Sequence, residues 1–318
     1  MEKPLISIMI PAFNDAKTLS RCLQSVLEQD DENLMVAVMD NHSEDETYDI
    51  LMDFERQYRD RLYTGRMHHP VSPHEHHSRC RSLISPRTRF LQYFPPTDVM
   101  SPTCISRCQT MFESSKKVGC VLVHADVIHP SGARDSAPKY RPTDGVIPGD
   151  IQMAYFMAQG MELNVTSLYR IEFYDLSSHE GYLFNRFPAW LPLVMVSSIS
   201  DIAYISDTLT WRGNPRAIQG DRFIFSLEDL FEHYLFLQAF NTIADRLGRQ
   251  AVCDHYPKAV ERLALECIHC SGLLLKHGDD QAAKAYLSLS LAFLPEIAAT
   301  QEFRQLAALF EHQPVDWR

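Results

Sequence analysis

Short apolar runs alternate with helical patterns along the first two thirds of the chain. Residues 5–10, with Ser7 as the exception, and residues 34–39 are apolar, which is typical of buried strands, and a helical pattern with its apolar positions on one face lies between them. Further strands are predicted near 62–67, 89–94, 119–127, 163–170 and 202–206, with helices from the Ser43 capping box to about 58, at 75–84 and after 98. This alternation predicts an α/β fold, Rossmann-like, with a mainly parallel central sheet.

The pattern changes near residue 226. Helical stretches follow at 227–247, 253–276, 280–293 and 297–311, without a strand pattern. Their apolar spacing is typical of packed helical hairpins and resembles tetratricopeptide-type hairpins, although no 34-residue repeat is visible. We therefore predict two domains, an α/β domain at 1–217 and an all-helical domain at 218–318.

The strand ends and helix starts predict where a ligand would lie. In open α/β sheets the site lies beyond the carboxyl ends of the strands. Residues 11–15, 40–41, 68–77 and 95–98 should therefore surround one crevice. Asn14 and Asp15 are predicted to cap the first helix, and Ser43 with Glu46 fits a capping box for the second. Residues 131–150, rich in Gly, Pro, Asp and Ser, predict a mobile loop.

Composition narrows the class of protein. The chain has 318 residues, and 45% of them are hydrophobic. This fraction is typical of a folded globular protein and argues against an intrinsically disordered chain. Its net charge of −11 argues against nucleic acid as a partner, because phosphate backbones need clustered Lys and Arg. No signal peptide and no transmembrane run is apparent. We expect a cytoplasmic protein, with peripheral attachment at the inner membrane left open.

Eight cysteines are scattered along the chain and are expected to be free thiols. Cys267 and Cys270 have the spacing of a metal or redox pair. They lie inside a helical pattern with no second pair nearby, so buried helix thiols are the favoured interpretation.

Three motifs, in order, resemble family 2 glycosyltransferases. An apolar strand ends in Pro-Ala-Phe-Asn at 11–14, a helix ends in Ser-Val-Leu-Glu-Gln at 25–29, and a second strand ends in Asp-Asn-His-Ser-Glu-Asp-Glu-Thr at 40–47. The resemblance is weaker up to Gly213 and does not include the helical tail. It implies a GT-A fold and an enzyme that transfers a sugar from a nucleotide-diphospho-sugar, with inversion expected. The Gly-x-Gly-x-x-Gly turn of dinucleotide-binding folds is absent after the first strand.

The resemblance also implies site residues. The loop after the first strand would pack along the nucleoside, and Asp40 would accept a hydrogen bond from the base, typically uracil N3–H, with Asn41 beside it. Arg79 matches a position that faces the nucleotide. Arg212 would contact the diphosphate or cap the site, with an exposed loop arginine as the equal alternative. The predicted nucleotide-binding set is Pro11, Ala12, Phe13, Asn14, Asp40, Asn41, Arg79, Thr97, Asp98 and Arg212.

The family's Asp-x-Asp motif is incomplete here. The chain reads Pro96-Thr97-Asp98, so the last acid alone remains to hold Mn²⁺ or Mg²⁺ between the donor phosphates. Thr97 could contribute a hydroxyl group without a charge. The metal prediction therefore rests on Asp98.

The expected general base is displaced as well. Pro188 and Ala189 stand where the family has an acidic pair. His179 and Glu180, just upstream, are the predicted catalytic residues, with Asp175 as a further candidate and a solvated loop as the alternative.

Five histidines, His68, His69, His74, His76 and His77, form a dense cluster. A structural zinc site, a contact to phosphate or acceptor, and a solvated loop all remain open.

Two functions compete at this point. The first is an active glycosyltransferase that uses a nucleotide-sugar, UDP-linked in our expectation, and a glycan or other glycoconjugate acceptor in polysaccharide or glycoconjugate biosynthesis. The second is a catalytically degenerate relative that binds a nucleotide-sugar and acts through its helical tail. In either case the tail would contact an acceptor, another protein or a second copy of the chain.

Overall fold

The computed structural model describes residues 5–160, 165–177, 190–213 and 223–310. The chain divides into two compact units. The first comprises residues 1–153 and 162–219, and the second comprises residues 154–161 and 220–318.

The first unit is built on one mixed sheet. In the described part of the chain its ten strands are β1 (Leu5–Ala12), β2 (Leu34–Asp40), β3 (Leu62–Arg66), β4 (Thr88–Tyr93), β5 (Val99–Met100), β6 (Val118–Ile128), β7 (Arg134–Asp135), β8 (Gly145–Ile147), β9 (Val165–Arg170) and β10 (Asp201–Arg212). Their spatial order is β3-β2-β1-β4-β9-β6-β10-β5, with β7 beside β6 and β8 beside β10. The sheet is parallel from β3 to β4 and again between β6 and β10. Strand β9 runs antiparallel to both its neighbours, and β5, β7 and β8 are also antiparallel.

The helices of this unit cover the sheet. They are α1 (Ala16–Leu27), α2 (Thr47–Gln57), α3 (Pro73–Arg81), α4 (Cys104–Ser114), α6 (Ile171–Ser177) and α7 (Trp190–Ile199), while α5 (Gly149–Gln159) starts in this unit and belongs to the second from Ala154 onward. All seven residues of β2 are buried, as expected for a parallel strand covered on both faces. The predicted apolar face of α1 is buried through Leu19, Cys22, Leu23 and Val26. The α/β prediction is therefore confirmed.

The predicted side-chain caps do not form, although Asp15 does occupy the N-cap of α1. Helix α1 has Asp15 at its N-cap and α2 has Glu46, and neither cap side chain bonds to the first turn. The Asp15 carboxylate accepts instead from the backbone N–H of Phe13, and Ser43 bonds to Asp40. Both loops use their polar side chains for tertiary contacts, which compete with local capping.

Several boundaries also differ from the prediction. The 131–150 segment contains β7, β8 and the start of α5. Strand β10 extends to Arg212 because a register shift between Ile205 and Thr210 lets it pass a polar stretch and pair again with β6. Helix α7 was not predicted, because nearly every residue in it is apolar and such a run shows no helical periodicity.

The second unit is helical. Beyond the segment 154–161, its helices are α8 (Leu227–Arg246), α9 (Gln250–Cys253), α10 (Tyr256–Lys276), α11 (Asp280–Phe293), a 3₁₀ turn (Pro295–Ala299) and α12 (Gln301–Phe310). A capping box between Ser226 and Asp229 starts α8. Helices α10 and α11 pack against each other along their length, and the Tyr286 hydroxyl donates to the carbonyl of Phe225. The all-helical prediction for this region is confirmed.

No helix among the described residues is long and apolar enough to cross a membrane. All eight cysteines are free, and all but Cys253 are buried. Cys267 and Cys270 lie inside α10, and burial raises the pKa of the Cys267 thiol, which makes that thiol a poor metal ligand at neutral pH.

Candidate functional site

The carboxyl ends of the parallel strands meet at one edge of the sheet. Ala12, Asp40 and Arg66 end their strands side by side, since Ala12 pairs with Asp40 and Asp40 with Arg66. Beyond β4, the backbone N–H of Phe94 still donates to the carbonyl of Met9. The loops that follow β1, β2, β3 and β4 therefore all leave from the same edge, as a ligand site in this fold requires.

The first two loops are tied together by side chains. The N–H of Asn14 donates to Ser43 Oγ over 2.9 Å, and Asn14 Oδ1 accepts from the N–H of Glu44. The N–H of Asp15 donates to Thr47 Oγ1. Asn14 adopts a φ of 55°, the left-handed region in which Asn is among the better-tolerated residues. The loop is thus fixed in a conformation that leaves Phe13 48% exposed at the edge.

Asp40 is fully buried and heavily bonded. Its Oδ1 accepts from the N–H and Oγ of Ser43, and its Oδ2 accepts from the Ser43 N–H at 3.3 Å. Arg66 Nε lies 3.1 Å from the same Oδ2. The side chain of Asp40 is 0% exposed. Direct acceptance of a hydrogen bond from a base therefore stays a prediction, and it would require displacing Ser43 or Arg66.

Asn41 orders the loop after β3. Its amide nitrogen donates to the carbonyl of Val71 at 3.0 Å, and its Oδ1 accepts from the N–H of Val71 at 2.9 Å. The side chain thus mimics a backbone pair between two loops. The backbone N–H of Asn41 donates to the carbonyl of Ala12, which adds the first loop to the same assembly.

Asp98 lies buried beyond β4, 2% exposed. Its Oδ1 accepts from Thr97 Oγ1 and from the N–H of Gly213, each at 3.0 Å. Arg212 Nε lies 3.8 Å from Oδ2, which has no hydrogen-bond partner among the described residues. Burial raises the pKa of the Asp98 carboxyl, while Arg212 and the bonds from Gly213 and Thr97 act in the opposite direction. Asp98 and Arg212 were each predicted as site residues from a different motif. The fold brings them together at the end of β10.

The free oxygen of Asp98 tests the predicted metal. An orphaned, buried carboxylate oxygen is a suitable hard ligand for Mn²⁺ or Mg²⁺. No group of three His, Cys, Asp or Glu side chains among the described residues could hold a metal ion. The residues therefore fit a metal that takes one protein ligand and fills its remaining positions with donor phosphates and water.

Arg79 and Arg81 lie on α3, which follows the third loop. Arg79 is exposed and pairs with Glu75 one turn earlier at 3.1 Å, so its role toward a nucleotide stays a prediction. Arg81 pairs with Asp175 of α6 at 2.8 Å. This ion pair uses the carboxylate that was the further candidate for the general base.

The histidine cluster does not form a metal site among the described residues. His76 is buried, and its Nε2 lies 2.8 Å from the carbonyl of Met39. His77 is buried against the Tyr93 ring, and burial, aided by His74, His76 and Arg81, lowers its pKa to about 4. His68 and His69 are exposed. The cluster therefore divides into core residues and exposed loop residues.

Residues 7–66 match the family model described as Glycosyl transferase family 2. The predicted family 2 resemblance is confirmed. An uncharacterized protein of Mycobacterium tuberculosis is 31% identical over 111 residues, which is 35% of this chain. The match spans about a third of that relative, 33% of its length.

Solved structures with very different sequences share the fold. TarS residues 1–349 from S. aureus, solved with UDP-GlcNAc, gives a TM-score of 0.54 at 12% identity, covering 89% of this chain and 90% of that chain. The same part of TarS was also solved with UDP. A mannosyltransferase from Pyrobaculum calidifontis, in complex with GDP-Man and Mn²⁺, gives 0.53 at 12% identity, covering 97% and 84%. The GT-A fold predicted from the family 2 resemblance is confirmed.

The predicted catalytic residues lie outside the described residues. His179 and Glu180, together with Pro188 and Ala189, fall between α6 and α7, where the structure describes no residue from 178 to 189. Their assignment stays a prediction.

Sequence reasoning missed two residues of the site. Arg66 was not singled out, although its place at the end of a predicted strand next to the strand of Asp40 was a usable signal. Gly213 was named only as the last residue of the stretch that resembles family 2 glycosyltransferases. Its backbone N–H holds Asp98, and a Cβ there would lie 2.7 Å from Thr97 Cβ, so the close approach excludes a side chain.

Proposed function

We propose that this protein is a glycosyltransferase that binds a nucleotide-diphospho-sugar at the carboxyl edge of β1–β4 and transfers its sugar to a glycan or other glycoconjugate acceptor. The observation that carries the proposal is the buried Asp98, whose Oδ2 lies beside Arg212 at the end of β10 and has no hydrogen-bond partner in the part of the chain that the structure describes. A carboxylate and a guanidinium in this arrangement suit a metal-bound diphosphate.

The nucleoside is proposed to lie along the loop of Pro11, Ala12, Phe13 and Asn14. The backbone of this loop donates to the hydroxyl groups of Ser43 and Thr47, through the N–H groups of Asn14 and Asp15. The Phe13 ring is half exposed. An exposed aromatic ring next to a fixed backbone can stack on a base. A UDP-linked donor is our proposal, and the TarS complexes with UDP and UDP-GlcNAc support that donor class.

Asp98 is proposed to provide the single protein ligand for Mn²⁺ or Mg²⁺. When bound, such an ion would neutralise charge on the departing diphosphate. The Thr97 hydroxyl and the Gly213 N–H both donate to Oδ1 of Asp98. These bonds fix the carboxylate and leave Oδ2 for the metal. Arg212 would contact the diphosphate from the adjacent side. The mannosyltransferase complex with GDP-Man and Mn²⁺ supports a metal in this fold.

The acceptor hydroxyl needs a general base within hydrogen-bond reach. His179 or Glu180 remains our proposal for that role, and Asp175 is less suited because Arg81 holds its carboxylate. Displacement with inversion at the anomeric carbon, within polysaccharide or glycoconjugate biosynthesis, is the reaction we propose.

One observation favours a second function. Asp98 is the single acid of the motif, and the Thr97 hydroxyl is already used to hold it. A catalytically degenerate nucleotide-sugar-binding protein would need no more than this. The helical unit would then carry the activity, since Phe231 is 50% exposed beside a groove that α8 and α11 line.

The substitution Asp98→Asn separates these functions. It keeps the size of the side chain and removes the charge, so Mn²⁺-dependent UDP binding should fall by about tenfold or more, and any hydrolysis of a UDP-sugar should disappear. Calorimetry with UDP and Mn²⁺ and a donor-hydrolysis assay measure the two effects. The matched control is Asp53→Asn, an exposed acid of α2.

Unchanged turnover in Asp98→Asn would remove Asp98 from the mechanism. Binding of UDP without any turnover, over a broad panel of donors and acceptors, would favour the non-catalytic function. Absence of nucleotide binding to the unaltered protein would contradict both.

A further inference from the structure

Asp40 offers a base no accessible acceptor position, because three donor groups surround its carboxylate and its side chain is fully buried. A carboxylate offers about four lone-pair positions. In Asp40, Oδ1 accepts from the Ser43 hydroxyl, Oδ2 pairs with Arg66 Nε, and the Ser43 N–H is shared between both oxygens. The carboxylate is also completely shielded from solvent. A nucleobase bound at this point must therefore contact a neighbour of Asp40 and not Asp40 itself.

Arg66 is the neighbour with a donor to spare. Its Nε pairs with Asp40 at 3.1 Å and its Nη2 donates to the carbonyl of Ser43 at 2.9 Å. Its guanidinium carbon lies 4.5 Å from the centre of the Tyr48 ring, which supports one face. Among the described residues, Nη1 has no hydrogen-bond partner, and 36% of the side chain is exposed. The guanidinium is thus oriented by three contacts and still presents N–H groups to solvent.

The position of Arg66 is at the ligand edge. It ends β3 directly beside Asp40, and the next residue, Met67, donates its N–H to the carbonyl of Asp40. The loop that follows is bonded to Asn41 through Val71. Arg66 therefore belongs to the same fixed group of loops as the predicted nucleoside site, whereas Arg79 pairs with Glu75 on the surface of α3.

We propose that Arg66 reads the nucleobase of the donor and that Asp40 positions Arg66 for this task. The proposal rests on the proposed function and deepens it. A guanidinium donates hydrogen bonds and accepts none. It therefore favours a base that presents a carbonyl oxygen, as uracil and guanine do, over cytosine and adenine, which present an amino group at the corresponding place. The site selects oxo bases through Arg66.

Binding of UDP, GDP, CDP and ADP to the full chain, measured by calorimetry at one Mn²⁺ concentration, tests this selection. We expect the unaltered protein to bind UDP more tightly than CDP and GDP more tightly than ADP. In Arg66→Gln the ratio of UDP to CDP affinity should fall on the order of tenfold, the factor that one hydrogen bond to a charged group supplies. Arg66→Lys keeps the charge and serves if the Gln variant does not fold.

The ratio of UDP to CDP affinity distinguishes recognition of the base by Arg66 from a structural role of Arg66. A purely structural role for Arg66 would weaken all four nucleotides alike and leave the ratio unchanged. Asp40→Asn, which loosens the ion pair and leaves Arg66 present, should lower the ratio less than Arg66→Gln does. Arg56→Gln, an exposed arginine of α2, is the control and should leave every affinity unchanged.

Three outcomes are decisive. If no nucleotide binds the unaltered protein, the proposed function fails. If nucleotides bind and a folded Arg66 variant keeps the UDP-to-CDP ratio, the proposed function stands and the role of Arg66 is overturned. If the ratio collapses in the Arg66 variant and not in the Arg56 control, the proposal is supported.

Discussion

Asp15 lies partly buried where the loop after β1 enters α1, and its surroundings change its acidity. Burial raises the pKa of its carboxyl to about 6, and the nearby carboxylates of Asp45 and Asp40 act in the same direction. The bond from the N–H of Phe13 opposes the rise without cancelling it. The folded chain therefore holds a proton on Asp15 more tightly than the unfolded chain does.

A pH-dependent stability follows from this shift. Between about pH 4 and pH 6 the folded state binds more protons than the unfolded state at this site, so the free energy of unfolding falls as pH rises through that window. We expect Asp15→Asn to be more stable than the unaltered protein at pH 7.5, by up to about 2 kcal/mol after allowance for partial exposure. Near pH 4 the difference should vanish.

Thermal unfolding from pH 4 to pH 8 measures this effect. The control is Asp60→Asn, an exposed acid after α2, for which no such pH-dependent difference is expected. An Asp15→Asn protein that is less stable at pH 7.5 than at pH 4, relative to the unaltered chain, would contradict the assignment.

At the scale of elements, the end of β10 and the loop after β4 determine the site together. Strand β10 pairs with β5 through Trp211 and with β6 through Arg212. Its last residues therefore arrive beside Asp98, and Gly213 follows against Thr97. The contact joins segments that are more than a hundred residues apart in the chain.

The substitution Gly213→Ala tests this approach of two elements. The new Cβ would lie 2.7 Å from Thr97 Cβ and 2.9 Å from the Thr97 carbonyl oxygen, so one of the two segments must shift. We expect the Gly213–Asp98 bond to break, Mn²⁺-dependent UDP affinity to fall about tenfold, and stability to fall by about 1–3 kcal/mol. Calorimetry and urea unfolding measure the two losses.

Gly272 provides the matched control. It lies inside α10, and nothing lies within 4 Å of a Cβ added there. Gly272→Ala should raise stability by about 0.5–1 kcal/mol through helix propensity and leave UDP affinity unchanged. Equal binding losses in both alanine variants would show that Gly213 has no specific role.

At the scale of the whole molecule, the two units do not divide the chain at one point. Residues 154–161, which include the second half of α5, belong to the helical unit, and the first unit resumes after them. Arg262 of α10 donates to the backbone carbonyls of Met157 and Ala158. The boundary between domains at 1–217 and 218–318 stays a prediction, and a fragment cut there would lack this segment.

We expect Arg262→Met in the full chain to lower the free energy of unfolding by about 1 kcal/mol, because two carbonyls lose a charged donor. Affinity for UDP should not change, because these contacts lie in the helical unit. Urea unfolding and calorimetry check the two statements, with exposed Arg246→Met as the control. A loss of UDP affinity without a loss of stability would refute the expectation.

The sequence by itself determined the local order of the first unit and the class of the fold. Apolar runs such as 34–39 predict buried strands because a parallel strand must be apolar on both faces, and the motifs at 11–14 and 40–47 predict the family. The predicted strand at 89–94 also indicated that Asp98 follows the carboxyl end of a strand, and its role toward a ligand stays a prediction. These features depend on neighbours close in the chain, and composition and spacing report such neighbours directly.

The tertiary structure decided which side chains work together. Asn14 and Ser43 bond between loops where the sequence predicted local caps, and Arg66, which the sequence did not single out, pairs with Asp40. Gly213 holds Asp98 across the sheet. Strand register and long-range loop contacts set these partners, and no local pattern of residue types encodes a register between segments so far apart.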